Sequence, residues 1–270
     1  MASIEVQRMS MDSSLMVKFL DDNFKVVIDP WLLGPEIDGS SIFNCAYHLH
    51  EPMNMEKVGN VDAIVISLPF NDHCHEDSLV LFKASVPIYG VIAVLRRLAK
   101  DVRLSDRIFI EITSDTEGTL IQSNLRIRSL PSPNIFDFVH SGLIFKDDNR
   151  NLVLYAPHGL YIENYQSNIV EAITSNAFLL ILISCSKYCL PFYLGGNVNL
   201  GLDHAIKVAK VVQAKYLIDV HSEEKISTGI VPYVSFGKHY PSYDDIVKSI
   251  NSSVHETQVI NLNNYEPIIL

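Results

Sequence analysis

The stretch VDAIVISLPFNDHCHEDSL, residues 61–79, decides the fold. Residues 63–66 are apolar and mainly β-branched, which predicts a buried strand. Pro69 ends this strand, because proline cannot donate to a sheet ladder. Polar groups just beyond a buried strand are typical of functional sites in α/β proteins; the alternative is an exposed loop in which Asp72 or Asp77 caps the next helix. Five ionisable residues follow the proline within six positions: Asp72, His73, His75, Glu76 and Asp77.

The composition restricts the class of protein. Of the 270 residues, 48% are hydrophobic and 19% are charged, which predicts a large buried core and one domain over residues 1–270. The net charge of −10 disfavours a nucleic-acid partner, because phosphate binding requires a concentrated basic surface. Residues 177–183, the longest apolar run, are too few to span a membrane, and residues 1–14 lack the apolar core of a signal peptide. The four cysteines form no Cys-x-x-Cys motif, and the sequence therefore favours a soluble, cytoplasmic protein.

The predicted elements repeat in one order along the chain, hairpins first and alternating strands and helices afterwards. Hairpins are predicted at residues 15–28 and 141–155, and helices at residues 168–175 and 202–213. Two similar halves of this kind favour an α/β fold of four layers. In such an αββα sandwich, two mixed β-sheets pack together and the helices lie on the outer faces.

A long excursion with little regular structure is predicted from Gly34 to Gly59, where glycine and proline recur. Loops of this length are uncommon unless they serve a function or cover a site. His48 and His50 lie in the excursion; alternate histidines can bind a metal, although exposed histidines are far commoner. The sequence leaves the role of this segment open.

Four predicted strands end in ionisable residues: Asp29, Asp72 with His73, His158, and His221. Strand ends at one edge of a layered α/β fold lie close together, so these side chains are expected to form a single site. Carboxylate and imidazole groups together suit zinc, iron or manganese, and three or four of them make a metal centre. A single histidine is more often structural than a ligand, and it is the recurrence at strand ends that favours a site.

The same residues resemble the metallo-β-lactamase-fold superfamily of metallo-hydrolases. In that superfamily a strand ending in Asp precedes a strand that leads into His-x-His-x-Asp-His, and later strand ends supply further ligands. Residues 28–32, Ile-Asp-Pro-Trp-Leu, resemble the first element, and residues 63–67 followed by Asp72-His73 resemble the second. His158 stands where a metal-bridging Asp is usual, and His221 resembles the last histidine ligand. The resemblance implies the αββα fold and a metal-dependent hydrolase.

The resemblance, which covers residues 3–225, also has departures. Aligned on Asp72-His73, the first two motif histidines fall on Leu68 and Phe70, and residues 131–134 offer no mid-chain histidine. The resemblance therefore implies a degenerate site in which the ligands of the first metal position are lost. Asp29 would orient one of the remaining ligands. Those ligands would hold one divalent metal, zinc or alternatively iron or manganese, and they are Asp72, His73, His158 and His221, with His75 in reserve.

Two functional hypotheses follow. In the first, one metal ion supports the hydrolysis of a small ester, amide or phosphodiester substrate, and Asp72, Glu76 or Asp77 activates the water. In the second, the chain is a catalytically inactive descendant that holds no metal and acts as a binding or scaffold module, with Leu68 and Phe70 filling the pocket. The sequence identifies neither the substrate nor the oligomeric state.

Overall fold

The computed structural model describes residues 4–147, 151–165, 170, 178–262 and 265–270. The chain divides into two compact units: unit 1 consists of Met1–Ile112, Glu223–Tyr233 and Leu262–Leu270, and unit 2 consists of Thr113–Ser222 and Val234–Asn261. Each unit contains one seven-stranded sheet and one three-stranded sheet. The expectation of one domain over the whole chain stays a prediction.

The described residues form twenty strands, six α-helices and three short 3-10 helices. The strands are Ile4–Arg8 (β1), Leu15–Phe19 (β2), Phe24–Ile28 (β3), Glu36–Asp38 (β4), Asn44–Tyr47 (β5), Ala63–Ile66 (β6), Ile88–Gly90 (β7), Phe109–Glu111 (β8), Thr119–Gln122 (β9), Leu125–Leu130 (β10), Gly142–Lys146 (β11), Asn151–Ala156 (β12), Leu180–Ile183 (β13), Lys187–Cys189 (β14), Asn197–Leu200 (β15), Tyr216–Asp219 (β16), Ile226–Gly229 (β17), Phe236–His239 (β18), Gln258–Val259 (β19) and Ile268–Ile269 (β20). The α-helices are Met55–Val58 (α1), Glu76–Leu79 (α2), Ile92–Leu98 (α3), Leu202–Val212 (α4), Val231–Val234 (α5) and Tyr243–Ser253 (α6). The 3-10 helices are Val102–Leu104, Ile162–Asn164 and Phe192–Leu194.

The large sheet of unit 1 has the strand order β20-β1-β2-β3-β6-β7-β8. Strands β2 and β3 pair antiparallel, which confirms the hairpin predicted at residues 15–28. Strands β3, β6, β7 and β8 pair in parallel, and all four residues of β6 are buried, as a strand covered on both faces requires. Ile28 pairs with Val65. Strands β3 and β6 therefore end side by side, and Asp29 contacts Ser67.

The large sheet of unit 2 has the strand order β19-β16-β13-β12-β11-β10-β9. Strands β11 and β12 form the predicted hairpin, and β12, β13, β16 and β19 pair in parallel. Ala156 pairs with Ile183, which pairs in turn with Asp219. Three parallel strands therefore end level with one another, and the residues that follow them, His158 and His221 included, lie at the same edge. The predicted helix at 202–213 is confirmed by α4, whose buried residues have helical spacing: Ala205, Val208, Ala209 and Val212.

Two large mixed sheets confirm the predicted α/β fold class. The excursion from Gly34 to Gly59 has more regular structure than expected, since it contains β4, β5 and α1. Strand β5 pairs with β17, a partner so distant along the chain that no local pattern reveals it. The helix predicted at residues 168–175 lies outside the described residues, except for residue 170. Across the described ranges, every helix is too short or too polar to cross a membrane.

Candidate functional site

Asp29, the first predicted site residue, lies in unit 1 directly after β3. Its backbone has the left-handed conformation, with φ 46°, which Asp tolerates better than most residues. The buried carboxylate accepts hydrogen bonds from the Ser67 backbone N–H (2.7 Å), the Ser67 hydroxyl (2.5 Å) and Nδ1 of His73 (2.7 Å). These bonds join the end of β3 to the loop that follows β6.

His73 is fully buried and donates its Nδ1–H to Asp29. Burial lowers the pKa of the His73 ring, but the carboxylates of Asp72 and Asp29 outweigh this effect and raise the pKa to about 9. The ring of the metal-free protein is therefore protonated at neutral pH. With one proton fixed on Nδ1, Nε2 is the nitrogen that gives up its proton when a metal binds. A carboxylate that orients an imidazole in this way is characteristic of histidine ligands.

Asp72, the second predicted ligand of unit 1, lies among charged side chains that the sequence did not single out. Its Oδ2 atom is 3.7 Å from Nε2 of His73 and 3.5 Å from Nζ of Lys225. Lys225 also forms ion pairs with Glu36 at 2.9 Å and with Asp12 at 3.2 Å. Burial raises the pKa of Glu36 to about 8, although Lys225 opposes the shift. The candidate ligands of unit 1 thus have charges of both signs around them.

His75, the predicted reserve ligand, caps helix α2. Its Nδ1 lies 2.9 Å from the Ser78 hydroxyl, and its Nε2 lies 3.2 Å from the backbone oxygen of Pro35. Both ring nitrogens are engaged within unit 1, which suits a structural cap better than a metal ligand. Leu68 is buried and Phe70 is half-buried; the implied loss of the first metal position stays a prediction.

The two carboxylates of α2 that the sequence proposes for water activation are paired with arginines. Glu76 forms a two-point ion pair with Arg97, at 2.6 and 2.9 Å, and Asp77 lies 2.6 Å from Arg103. The Asp77 side chain is 55% exposed, against 20% for Glu76. Activation of water by either carboxylate would require its ion pair to open, and this role stays a prediction.

His48 fixes the excursion from Gly34 to Gly59 within unit 1. Its ring stacks on Trp31 with the centroids 3.7 Å apart, and its Nδ1 lies 2.7 Å from the Glu223 carboxylate. Glu223 also accepts two backbone N–H groups from the same segment. These contacts give His48 a structural role.

His158 lies directly after β12 in unit 2 and is buried. Its Nδ1–H donates to the carboxamide oxygen of Asn199 at 2.7 Å. The amide nitrogen of Asn199 donates to the Ser186 hydroxyl at 3.0 Å and to the backbone oxygen of His221 at 3.2 Å. One buried amide therefore orients the ring of His158 and the backbone of His221.

His221 follows β16 in the left-handed conformation, with φ 55°. Its ring meets that of His158 edge to face, with centroids 4.4 Å apart and an interplanar angle of 77°. Asp219 holds the preceding turn, because its carboxylate accepts the Cys185 N–H and the Ser222 hydroxyl, both at 2.7 Å. Unit 2 thus brings together the two histidines that the sequence predicts for it.

Asn199 and Lys225 are two residues of these clusters that the sequence does not reveal. Strand β15 reads Asn-Val-Asn-Leu, and nothing in that pattern separates the buried Asn199 from the exposed Asn197. Lys225 follows Glu223 and Glu224, so it resembles part of a solvated charged segment.

Comparison with known proteins identifies the fold. No protein-family model matches the sequence, and no curated protein matches it significantly. Igni18, a metallo hydrolase from the archaeon Ignicoccus hospitalis, has a TM-score of 0.69 at 14% identity, with 99% of this chain and 98% of that chain covered. The metallo-β-lactamase fold protein YhfI from Bacillus subtilis has a TM-score of 0.59 at 15% identity, with 99% of both chains covered. This chain has the metallo-β-lactamase fold.

A third solved structure extends the comparison. An isothiocyanate hydrolase from Delia radicum gut bacteria has a TM-score of 0.64 at 14% identity and covers 98% of both chains. At 14% identity, this similarity establishes the fold alone. The fold that the resemblance implies is thereby confirmed. In each unit, the predicted histidines lie at the carboxyl ends of parallel strands, beside a buried hydrogen-bond acceptor.

Proposed function

We propose that the protein is a metal-dependent hydrolase that binds one divalent ion. The proposed ligands are Asp72, His73, His158 and His221, which are buried and offer one ligand atom each. Imidazole and carboxylate ligands suit zinc, with iron and manganese as alternatives. The solved structures of the same fold that are metallo-hydrolases support the same class of activity.

The observation that carries the proposal is the hydrogen bonding of two histidines. His73 donates Nδ1–H to Asp29, and His158 donates Nδ1–H to Asn199. In protein metal sites, the non-coordinating nitrogen of a histidine is almost always held by a carboxylate, a carbonyl or a water. Each unit therefore supplies an imidazole with a fixed proton on Nδ1, which makes Nε2 the ligand nitrogen.

The chain's own residues would divide the work of hydrolysis. A bound divalent ion polarises a carbonyl or phosphoryl oxygen and lowers the pKa of water. Asp29 and Asn199 hold the imidazoles in their orientation. Asp72, whose Oδ2 atom lies 3.7 Å from Nε2 of His73, is the carboxylate of unit 1 that would accept a proton from water. The substrate class is a small ester, amide or phosphodiester.

The direct test is elemental analysis of untagged protein equilibrated with zinc, manganese or iron and freed of excess metal. We expect about one ion per chain, the stoichiometry of a four-ligand site. His73→Ala and His221→Ala should each lose it. His255→Ala, at an exposed position, is the control and should retain it.

Hydrolysis is then measured with p-nitrophenyl acetate and bis(p-nitrophenyl) phosphate. We expect turnover of at least one probe by the metal-loaded protein and its loss after chelation. Wild-type protein that remains metal-free with all three ions would contradict the proposal and favour the alternative, an inactive module of the same fold. The proposed location is the cytoplasm, where the four cysteines, all free and buried, stay reduced.

A further inference from the structure

Lys225 occupies the centre of a carboxylate cluster in unit 1, which we define as Asp12, Glu36 and Asp72. Its ammonium nitrogen lies 3.2 Å from Asp12, 2.9 Å from Glu36 and 3.5 Å from Asp72. The side chains of the cluster are 1%, 7% and 12% exposed, and that of Lys225 is 15% exposed. The ammonium also lies 4.9 Å from the centroid of the Trp31 ring, within the range of a cation–π contact. The lysine is therefore a fixed internal cation.

The same oxygen of Asp72 faces two cationic groups. Oδ2 lies 3.5 Å from Nζ of Lys225 and 3.7 Å from Nε2 of His73. A divalent ion that binds Asp72 must share this carboxylate with the ammonium group. The ion would also lie a few ångströms from the positive charge of Lys225. Because buried charges are poorly screened by water and salt, the two would repel each other.

We infer that Lys225 is an internal counter-ion that competes with the divalent metal for Asp72 and so limits metal affinity. The inference rests on the proposed function, because it assumes that Asp72 is a metal ligand. Lys225 offsets part of the negative charge of the carboxylate cluster while no metal is bound, and Asp12 and Glu36 hold the ammonium in place when the metal arrives. In this arrangement the metal is held loosely enough to exchange.

The inference predicts opposite effects for two substitutions. Lys225→Met removes the competing charge and should tighten zinc binding by about tenfold or more, because like charges a few ångströms apart repel appreciably even at a high dielectric constant. Asp12→Asn removes one of the carboxylates that share Lys225, so the ammonium pairs more strongly with Asp72. Zinc binding should then weaken by about threefold to tenfold.

The experiment titrates zinc and manganese against a chromophoric chelator, with thermal unfolding measured on each metal-free variant. Lys225→Arg preserves the charge and should remain within about threefold of wild type. Lys83→Met is the matched control, since it removes an exposed lysine of the same unit whose side chain contacts Asn60. Because surface charges are largely screened, its metal affinity should equal that of wild type.

Lys225→Met with unchanged or weaker zinc affinity would overturn the inference, whatever its melting temperature, because a purely structural lysine changes stability alone. If Lys225→Met does not fold, Asp12→Asn decides: unchanged or tighter binding contradicts the competition. Failure of the proposed function gives a different result. In that case wild-type protein binds no metal, and a metal gained by Lys225→Met would still support the role of Lys225.

Discussion

Both units hold a buried histidine through Nδ1 at the ends of their parallel strands, but the acceptor is a carboxylate in unit 1 and a carboxamide in unit 2. Asp29 accepts from His73 at 2.7 Å, and Asn199 accepts from His158 at the same distance. In unit 1 the surrounding groups are charged, and they include Lys225 and Asp72. In unit 2, Asn199 donates to neutral groups, a hydroxyl and a backbone oxygen.

The carboxylate acceptor of unit 1 and the carboxamide acceptor of unit 2 orient a histidine ring in different ways. In unit 1, burial lowers the pKa of His73, but the carboxylates of Asp72 and Asp29 attract the protonated ring and raise the pKa to about 9. Metal binding must then release a proton from unit 1. A carboxamide fixes the orientation and tautomer of His158 without adding charge. We therefore expect stability to depend more on Asp29, and the geometry of the two neighbouring histidines to depend more on Asn199.

The largest expected effect is that of Asp29→Ala, which removes the charged acceptor of unit 1. The substitution leaves the buried His73 ring and two donors of Ser67 without their partner, and alanine tolerates φ 46° poorly. Breaking a buried ion pair on one side costs about 3–5 kcal/mol. Chemical denaturation measures this loss in the free energy of unfolding.

Asp62→Ala is the matched control for Asp29→Ala. The Asp62 carboxylate also accepts a backbone N–H, that of Lys25 at 2.8 Å, but it is exposed. Its loss should cost about 1 kcal/mol or less. Equal losses of unfolding free energy in the two variants would show that the burial and charge of Asp29 add no stability beyond that of an exposed hydrogen-bond acceptor.

The next largest effect is that of Asn199→Ala in unit 2. The buried amide makes three hydrogen bonds, and their loss should cost about 1–3 kcal/mol of stability. Removing a residue that orients a histidine ligand typically weakens metal binding by about 10–100-fold. Asn197→Ala, two residues away on the same strand and exposed, should change neither quantity. Nitrogen NMR of the His158 ring gives an independent measure. The ring should lose its preference for the Nδ1–H tautomer in Asn199→Ala and keep it in Asn197→Ala.

Distance along the chain decides what could be predicted from the sequence. The buried strand β6 and helix α4 follow from local hydrophobic patterns, and the strand ends locate Asp72, His158 and His221. Lys225 could not be found in this way, because it lies 189 residues from Glu36 and 153 from Asp72. Their partnership depends on a segment of unit 1, Glu223–Tyr233, that lies in the chain between the two segments of unit 2.

The role of Asn199 was hidden for a related reason. It is 41 residues from His158 and 22 from His221, and the sequence of β15 does not show which of its two asparagines is buried. The same limit affected the carboxylates of α2. Their position after a buried strand suggested catalysis, whereas their arginine partners lie 21 and 26 residues further along the chain.

A smaller effect is expected from pH, and it tests the charged character of unit 1. The pKa values of Glu36 and His73 are raised to about 8 and about 9 from 4.5 and 6.5. A group with a raised folded-state pKa contributes stability that is complete below its unfolded pKa and is lost as the pH rises through its folded pKa. The metal-free protein should therefore lose stability between about pH 5 and pH 9.

We expect a fall of about 2–4 °C in Tm over this range, or about 1 kcal/mol, because burial and ion pairing partly offset each other within the coupled cluster. Glu36→Gln should remove the contribution of Glu36, which falls between about pH 5 and pH 8, and leave that of His73, which falls between about pH 6.5 and pH 9. A Tm that rises from pH 5 to pH 8 would contradict the assignment of these two groups.

The smallest effect is expected for Asp77→Asn, which tests whether the acidic residues after β6 form part of the reacting site. Asp77 is 55% exposed, and its partner Arg103 retains a second carboxylate, Asp101, at 2.6 Å. Exposed pairs of this kind contribute about 0–1 kcal/mol, so stability and zinc affinity should be almost unchanged. Hydrolysis of the probe substrates should also be unchanged, in contrast to Asp72→Asn. A tenfold or greater loss of hydrolysis in Asp77→Asn with normal zinc affinity would instead support water activation by Asp77, since neither its contribution to the fold nor a role as ligand could account for that loss.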